Sequence, residues 1–112
     1  MKSVKQKDET LHTGSDWYKK YVLHPKNNFD GAKAVMKIRD IRTDLVICEA
    51  ICEVNSNIVI ARIPNKLSLK IPRNIRKARY DLFIILPLEN GEFIQYKLVM
   101  GEFKIIHESS LH

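Results

Sequence analysis

Along most of the chain, apolar and polar residues alternate with a period of two, the signature of half-buried β-strands. The longest such stretch is residues 79–106, RYDLFIILPLENGEFIQYKLVMGEFKII. It reads as two long strands joined by a tight turn at Glu89, Asn90, Gly91 and Glu92. Asn-Gly between apolar runs predicts a type I′ turn, because both central residues need positive φ. On the first arm Tyr80, Leu82, Ile84 and Leu86 alternate with Asp81, Phe83 and Ile85. Both sets are largely apolar, which predicts a central strand covered on both sides. On the second arm the apolar parity shifts around Gly101, from Leu98 and Met100 to Phe103 and Ile105, which predicts a β-bulge at that glycine.

Further strands are predicted over residues 16–23, 32–39, 45–51 and 58–63. Residues 24–31, with Pro25 and Asp30-Gly31, read as a loop, and residues 40–44 and 53–57 read as turns. Residues 66–71, KLSLKI, show the most regular alternation and predict a strand with Leu67, Leu69 and Ile71 inward. Pro72 then favours a short helix over residues 72–78, since proline suits the first helical position. Seven or eight short strands, regularly punctuated by turns, predict an all-β, immunoglobulin-like sandwich of antiparallel strands with one short helix. Tyr80, opening the strand after that helix, is expected to cap the preceding corner with its hydroxyl. Residues 1–14 are polar and predict a mobile arm, or an edge strand that orders only against a partner. Residues 15–108 then form the sandwich, and residues 109–112 a frayed tail. Deleting the arm is expected to leave the fold intact and weaken assembly.

At 112 residues the chain supports one core. It has 45% hydrophobic and 29% charged residues, ordinary for a soluble domain. No apolar run approaches the roughly 20 residues of a membrane span, so no membrane contact is expected. The polar N-terminus lacks the apolar core of a signal peptide, which places the expected synthesis in a cytoplasm. Cys48 and Cys52 share one face of a strand, too far apart to bond, and are expected to be buried thiols.

Net charge is +6, which permits an acidic or nucleic-acid partner without demanding one. The conspicuous feature is a run without acids between residues 62 and 79: Arg62, Lys66, Lys70, Arg73, Arg76, Lys77 and Arg79. It reads first as a solvated face, then as a docking surface for an acidic protein, then as a nucleic-acid footprint. The last is disfavoured because no aromatic residues interleave the run. No catalytic or metal-binding pattern stands out. His12, His24, His107 and His112 are scattered, and only four glycines exist for any phosphate loop. Asp40 and Asp44, with Glu49 further on, lack the glycine of a calcium loop and have Arg42 among them, and so read as a solvated turn. The expectation is therefore a protein that is not an enzyme and carries no cofactor.

The order of these short motifs resembles a family of small phage tail-associated immunoglobulin-like proteins, akin to the N-terminal domain of phage baseplate upper proteins. The resemblance rests on Asp30-Gly31-Ala32 leading into Ala34, Met36, Ile38 and Arg39. It continues through Leu67, Leu69, Ile71 and Pro72, through Tyr80-Asp81-Leu82, and through Asn90-Gly91. Lys97, Leu98 and Gly101 then match a final step, so residues 16–109 are covered. Ala78-Arg79 stands where the family often has a glycine, and the family's usual D-L-T-G is reduced to Asn28-Phe29-Asp30-Gly31. The resemblance implies a phage or prophage structural protein of the tail or baseplate, made in the bacterial cytoplasm and carried into the virion. It implies docking to other phage structural proteins or to copies of itself, and no catalytic residue. A basic β-module that binds nucleic acid is the alternative.

Overall fold

A computed structural model describes residues 4–23 and 29–107. It is all-β apart from one helical turn. The strands are β1 (Lys5–Gln6), β2 (Glu9–His12), β3 (Trp17–Val22), β4 (Lys33–Asp40), β5 (Val46–Asn55) and β6 (Ile58–Ile63). The helical turn α1 (Asn65–Ser68), then β7 (Lys77–Pro87) and β8 (Phe93–Ile106), complete the chain. The strands join in one curled sheet, a half-barrel, in the order β1-β8-β7-β4-β5-β6-β3, with β2 also on β8. β5 divides its pairing: residues 46–50 pair with β4 and residues 51–55 with β6. No described helix is long and apolar enough to cross a membrane.

Inward positions of the strands supply the core. Met36, Ile38, Tyr80, Leu82, Ile84, Val99 and Phe103 come from one side, and Tyr21, Val59, Ala61 and Ile63 from the other. Phe103 sits between them, edge-on to Tyr80 at 5.1 Å and to Trp17 at 5.2 Å. β7 is central in the sheet, between β8 and β4, but it is covered on one side only: Tyr80, Leu82 and Ile84 are buried, whereas Asp81, Phe83 and Ile85 on the other face are half-buried. Cys48 is buried, Cys52 half-buried, and both are free thiols. Burial pushes the Cys52 thiol up to about 11 and the Cys48 thiol up as well, so neither is primed as a nucleophile.

Several expectations need correction. Residues 5–12 are not a free arm. β1 and β2 run parallel to β8, so the sheet is not wholly antiparallel, and Leu11 is fully buried. An isolated apolar residue among lysines and acids gave too little pattern to show this. Removing residues 1–14 therefore empties a core position rather than trimming a periphery.

Residues 66–71 are not a strand. Pro64 is extended, and its carbonyl accepts from Leu67 N at 2.9 Å and Ser68 N at 3.2 Å, starting α1. Ser68 is buried, its Oγ donating to Asn65 O at 3.1 Å and accepting from Gly14 N at 3.0 Å, while Leu69 is exposed. Leu67 and Ile71 are four apart, so a helical turn aims both inward as readily as a strand does. Residues 72–76 form a turn instead of the predicted helix, closed by Ile75 N donating to Pro72 O at 3.0 Å.

The hairpin turn is also different. Only Gly91 has positive φ, +86°, and Leu88 N donates to Glu92 O at 2.7 Å. Residues 89–91 are thus a three-residue loop closed by a left-handed glycine, rather than a type I′ turn. The register slips between Leu82 and Phe83, because Leu98 is the extra residue on β8. The bulge predicted at Gly101 thus lies at Leu98. Gly101 is needed for another reason: a Cβ there would collide with the Lys7 carbonyl of the β1–β2 link. Tyr80 does not cap its own corner. Its hydroxyl donates to that same Lys7 carbonyl at 2.6 Å, and burial raises its pKa to about 12. Residues 24–28 of the predicted loop, and the predicted tail, lie outside the described residues.

Candidate docking surface

The seven basic residues singled out in the sequence do not form one surface. Arg62 lies on β6, opposite Tyr18 of β3. Lys66 belongs to α1, and Lys70 follows it. Both are exposed, and neither lines the cleft that gathers Arg73, Arg76 and Lys77.

That cleft has a volume of about 970 Å³ and lies where β2, β8 and the start of β7 meet residues 72–76. Its position is set by ordinary packing. Ile71 and Ile75 are buried, so the turn between them pushes Arg73 and Arg76 outward. Ile105 N donates to Arg76 O at 2.9 Å, and the His107 ring meets Ile75 O at 2.8 Å. Residues 75 and 76 are thereby pinned to β8. Lys77, next in the chain, stands directly opposite Lys104 of β8, and Thr10 of β2 stands on the other side of Lys104. Ile106 supplies apolar surface, Ile105 beside it is buried in the core, and Asp8, Glu9 and Glu102 also line the cleft. Of these acids Glu9 is engaged, 3.7 Å from Lys19, and Asp8 Oδ1 accepts from Glu102 N at 3.0 Å.

Arg79 lies two residues further along β7, in a second like-charge pairing, opposite Arg39 of β4. Here the charges are met. Asp44 forms an ion pair with Arg79, and its carbonyl accepts from Arg39 at 3.1 Å. The Arg79 hydrogen bond holds the Asp44 carboxyl below its usual range, and the same bond raises Arg79. Asp40, expected to be a solvated turn residue, is buried instead. It caps the turn by accepting from Thr43 Oγ1 at 3.0 Å and Arg42 N at 3.3 Å.

Around Lys77 and Lys104 no such partner exists among the described residues: Arg73, Arg76, Lys77 and Lys104 make no ion pair. Like charges directly opposite in adjacent strands repel. The cleft thus gathers four cations beside three carboxylates, and the cations, being without ion pairs among the described residues, have the chemistry to meet carboxylates or other anions. Sequence reasoning missed Lys104 and His107, which lie outside the basic run. The hairpin brings the two strands together, but Lys104 comes opposite Lys77 only through the extra residue at Leu98, which the sequence pattern did not place.

No family model matches the chain, and no curated protein matches it.

Proposed function

We propose that this chain is a non-enzymatic structural or assembly module of a phage or prophage tail or baseplate, working by protein–protein docking. The observation that carries the docking role is the cleft of Arg73, Arg76, Lys77 and Lys104, whose charges have no counter-ion among the described residues. Its partner is an acidic segment of a neighbouring structural protein. The exposed Ile106 at the cleft suits an apolar side chain flanking the carboxylates. Repeated copies around a symmetric tail would let weak contacts add through avidity.

The tail assignment rests on the resemblance of the motif order. The immunoglobulin-like sandwich is the finer form of the all-β fold that we favour. Its support is the change of partner along β5, from β4 to β6, the way strands turn a corner between two packed layers.

Mass spectrometry of particles purified from the host that encodes the chain tests the assignment. The protein is expected in the tail fraction at a stoichiometry set by tail symmetry. Its absence from particles would overturn the assignment. A nucleic-acid module would instead show duplex affinity falling steeply with salt, through counter-ion release.

A further inference from the structure

The β7–β8 hairpin reaches past its neighbours. β4 stops pairing at Lys33, opposite Ile85, and β1 covers β8 only at Val99 and Met100. Residues 93–97 of β8 therefore pair with β7 alone among the described residues, and no described strand takes up the backbone donors and acceptors on their other side. Edge strands are usually protected by lysines, prolines or bulges. The other terminal strand, β3, carries Lys19 and Lys20. The β8 stretch has such devices only at its far end, at Lys97 and the bulge at Leu98; Phe93, Ile94, Gln95 and Tyr96 before them have none, with Phe93 69% and Tyr96 45% exposed.

We infer that this edge binds a second copy of the chain by antiparallel strand addition about a two-fold axis at Gln95. The register follows from side-chain parity and charge. A two-fold axis perpendicular to the sheet keeps each face continuous, so only residues of the same parity pair across it. An axis at Lys97 would set the two lysines directly opposite each other. An axis at Tyr96 would run into the bulge at Leu98 and into Val99, which Lys5 already occupies. An axis at Gln95 pairs Phe93 with Lys97 of the other copy, Ile94 with Tyr96, and the two Gln95 side chains with each other. Lys97 then lies beside a second ring. It already stands over Phe83 at 5.6 Å and 3.6 Å from Asp81. The contact opposes no like charges, covers the exposed Phe93 and Tyr96, and satisfies the open backbone.

Charge exchange at the exposed Phe93 tests this register. Light scattering over a concentration series is expected to show a monomer–dimer equilibrium for the native chain. Phe93→Lys sets lysine against Lys97 twice and should give a monomer, while Phe93→Glu should retain or tighten the dimer. Phe93→Lys combined with Lys97→Glu should restore it. Circular dichroism, unchanged across the set, confirms that each variant folds, and Tm is compared at concentrations where the native chain is monomeric, because dimerisation itself raises it. Gln95→Cys should form an oxidant-dependent covalent dimer, since paired Cα atoms about 4.5–5.5 Å apart suit a disulfide. A native chain that stays monomeric at every concentration overturns the proposal. So does equal loss of dimer in both Phe93 variants, or failure of Gln95→Cys to cross-link.

Discussion

Two like-charge pairs face each other across β7, two residues apart, and they are resolved differently. Arg79 opposes Arg39, and the β4–β5 turn delivers Asp44 to both. Lys77 opposes Lys104, and no described acid reaches either. The first pair is closed within the fold and serves it. The second is left without a counter-ion among the described residues, beside Arg73 and Arg76, and is where we propose that a partner docks. Charge density along the sequence does not separate the two. What separates them is whether a turn delivers a carboxylate.

The comparison breaks most severely if the N-terminal strands are lost, because they form one wall of the open site. Leu11→Ala should destabilise the fold by about 2–5 kcal/mol, the range for emptying a leucine site in a core. Gly101→Ala should also lower stability, since its methyl group displaces the Lys7 carbonyl that Tyr80 holds. Urea unfolding measures both, and an unchanged midpoint for Leu11→Ala would contradict the integration of β2. Lys104→Glu acts next. It converts repulsion with Lys77 into attraction, so stability should rise by about 0.2–1 kcal/mol while affinity for acidic peptides falls at least tenfold. Urea unfolding and peptide titration read the two effects separately. Asp44→Asn should do the reverse at the closed pair: a small loss of Tm, readable by calorimetry, with no loss of peptide binding.

The smallest effect is on pH. Asp44 is depressed in the folded state, so its contribution is present above the unfolded carboxylate pKa and is lost as pH falls through the lower folded value. Because the group is fully exposed, solvent screens most of it. Native and Asp44→Asn stabilities should converge in acid and separate at neutral pH, as urea midpoints across a pH series would show.

Much of the fold was legible, and the failures have physical causes. β3, β4, β6 and the β7–β8 hairpin follow from alternation and turn residues, because each buries one face. Residues 66–71 misled because Leu67 and Ile71 fit both a strand and a helical turn, and Pro64 with Ser68 decides between them. β1 and β2 were illegible because parallel pairing leaves no turn in the sequence, and Leu11 is their only fully buried side chain. Three of the seven basic residues, Arg73, Arg76 and Lys77, near neighbours in the chain, line one cleft. Arg79 was grouped with them because Asp44, its partner, lies 35 residues away. Lys104 was missed for the converse reason, as its companion Lys77 is reached only through the hairpin register.

Titrating a labelled oligoglutamate peptide into the native chain, Lys77→Glu/Lys104→Glu and Arg62→Glu tests the central claim most directly. A DNA duplex of matched charge runs in parallel. Salt-sensitive peptide binding should vanish in the double variant, survive Arg62→Glu, and exceed binding to the duplex. Binding unaffected by the double variant, or stronger to the duplex, would contradict the open pair as a receptor for an acidic protein partner.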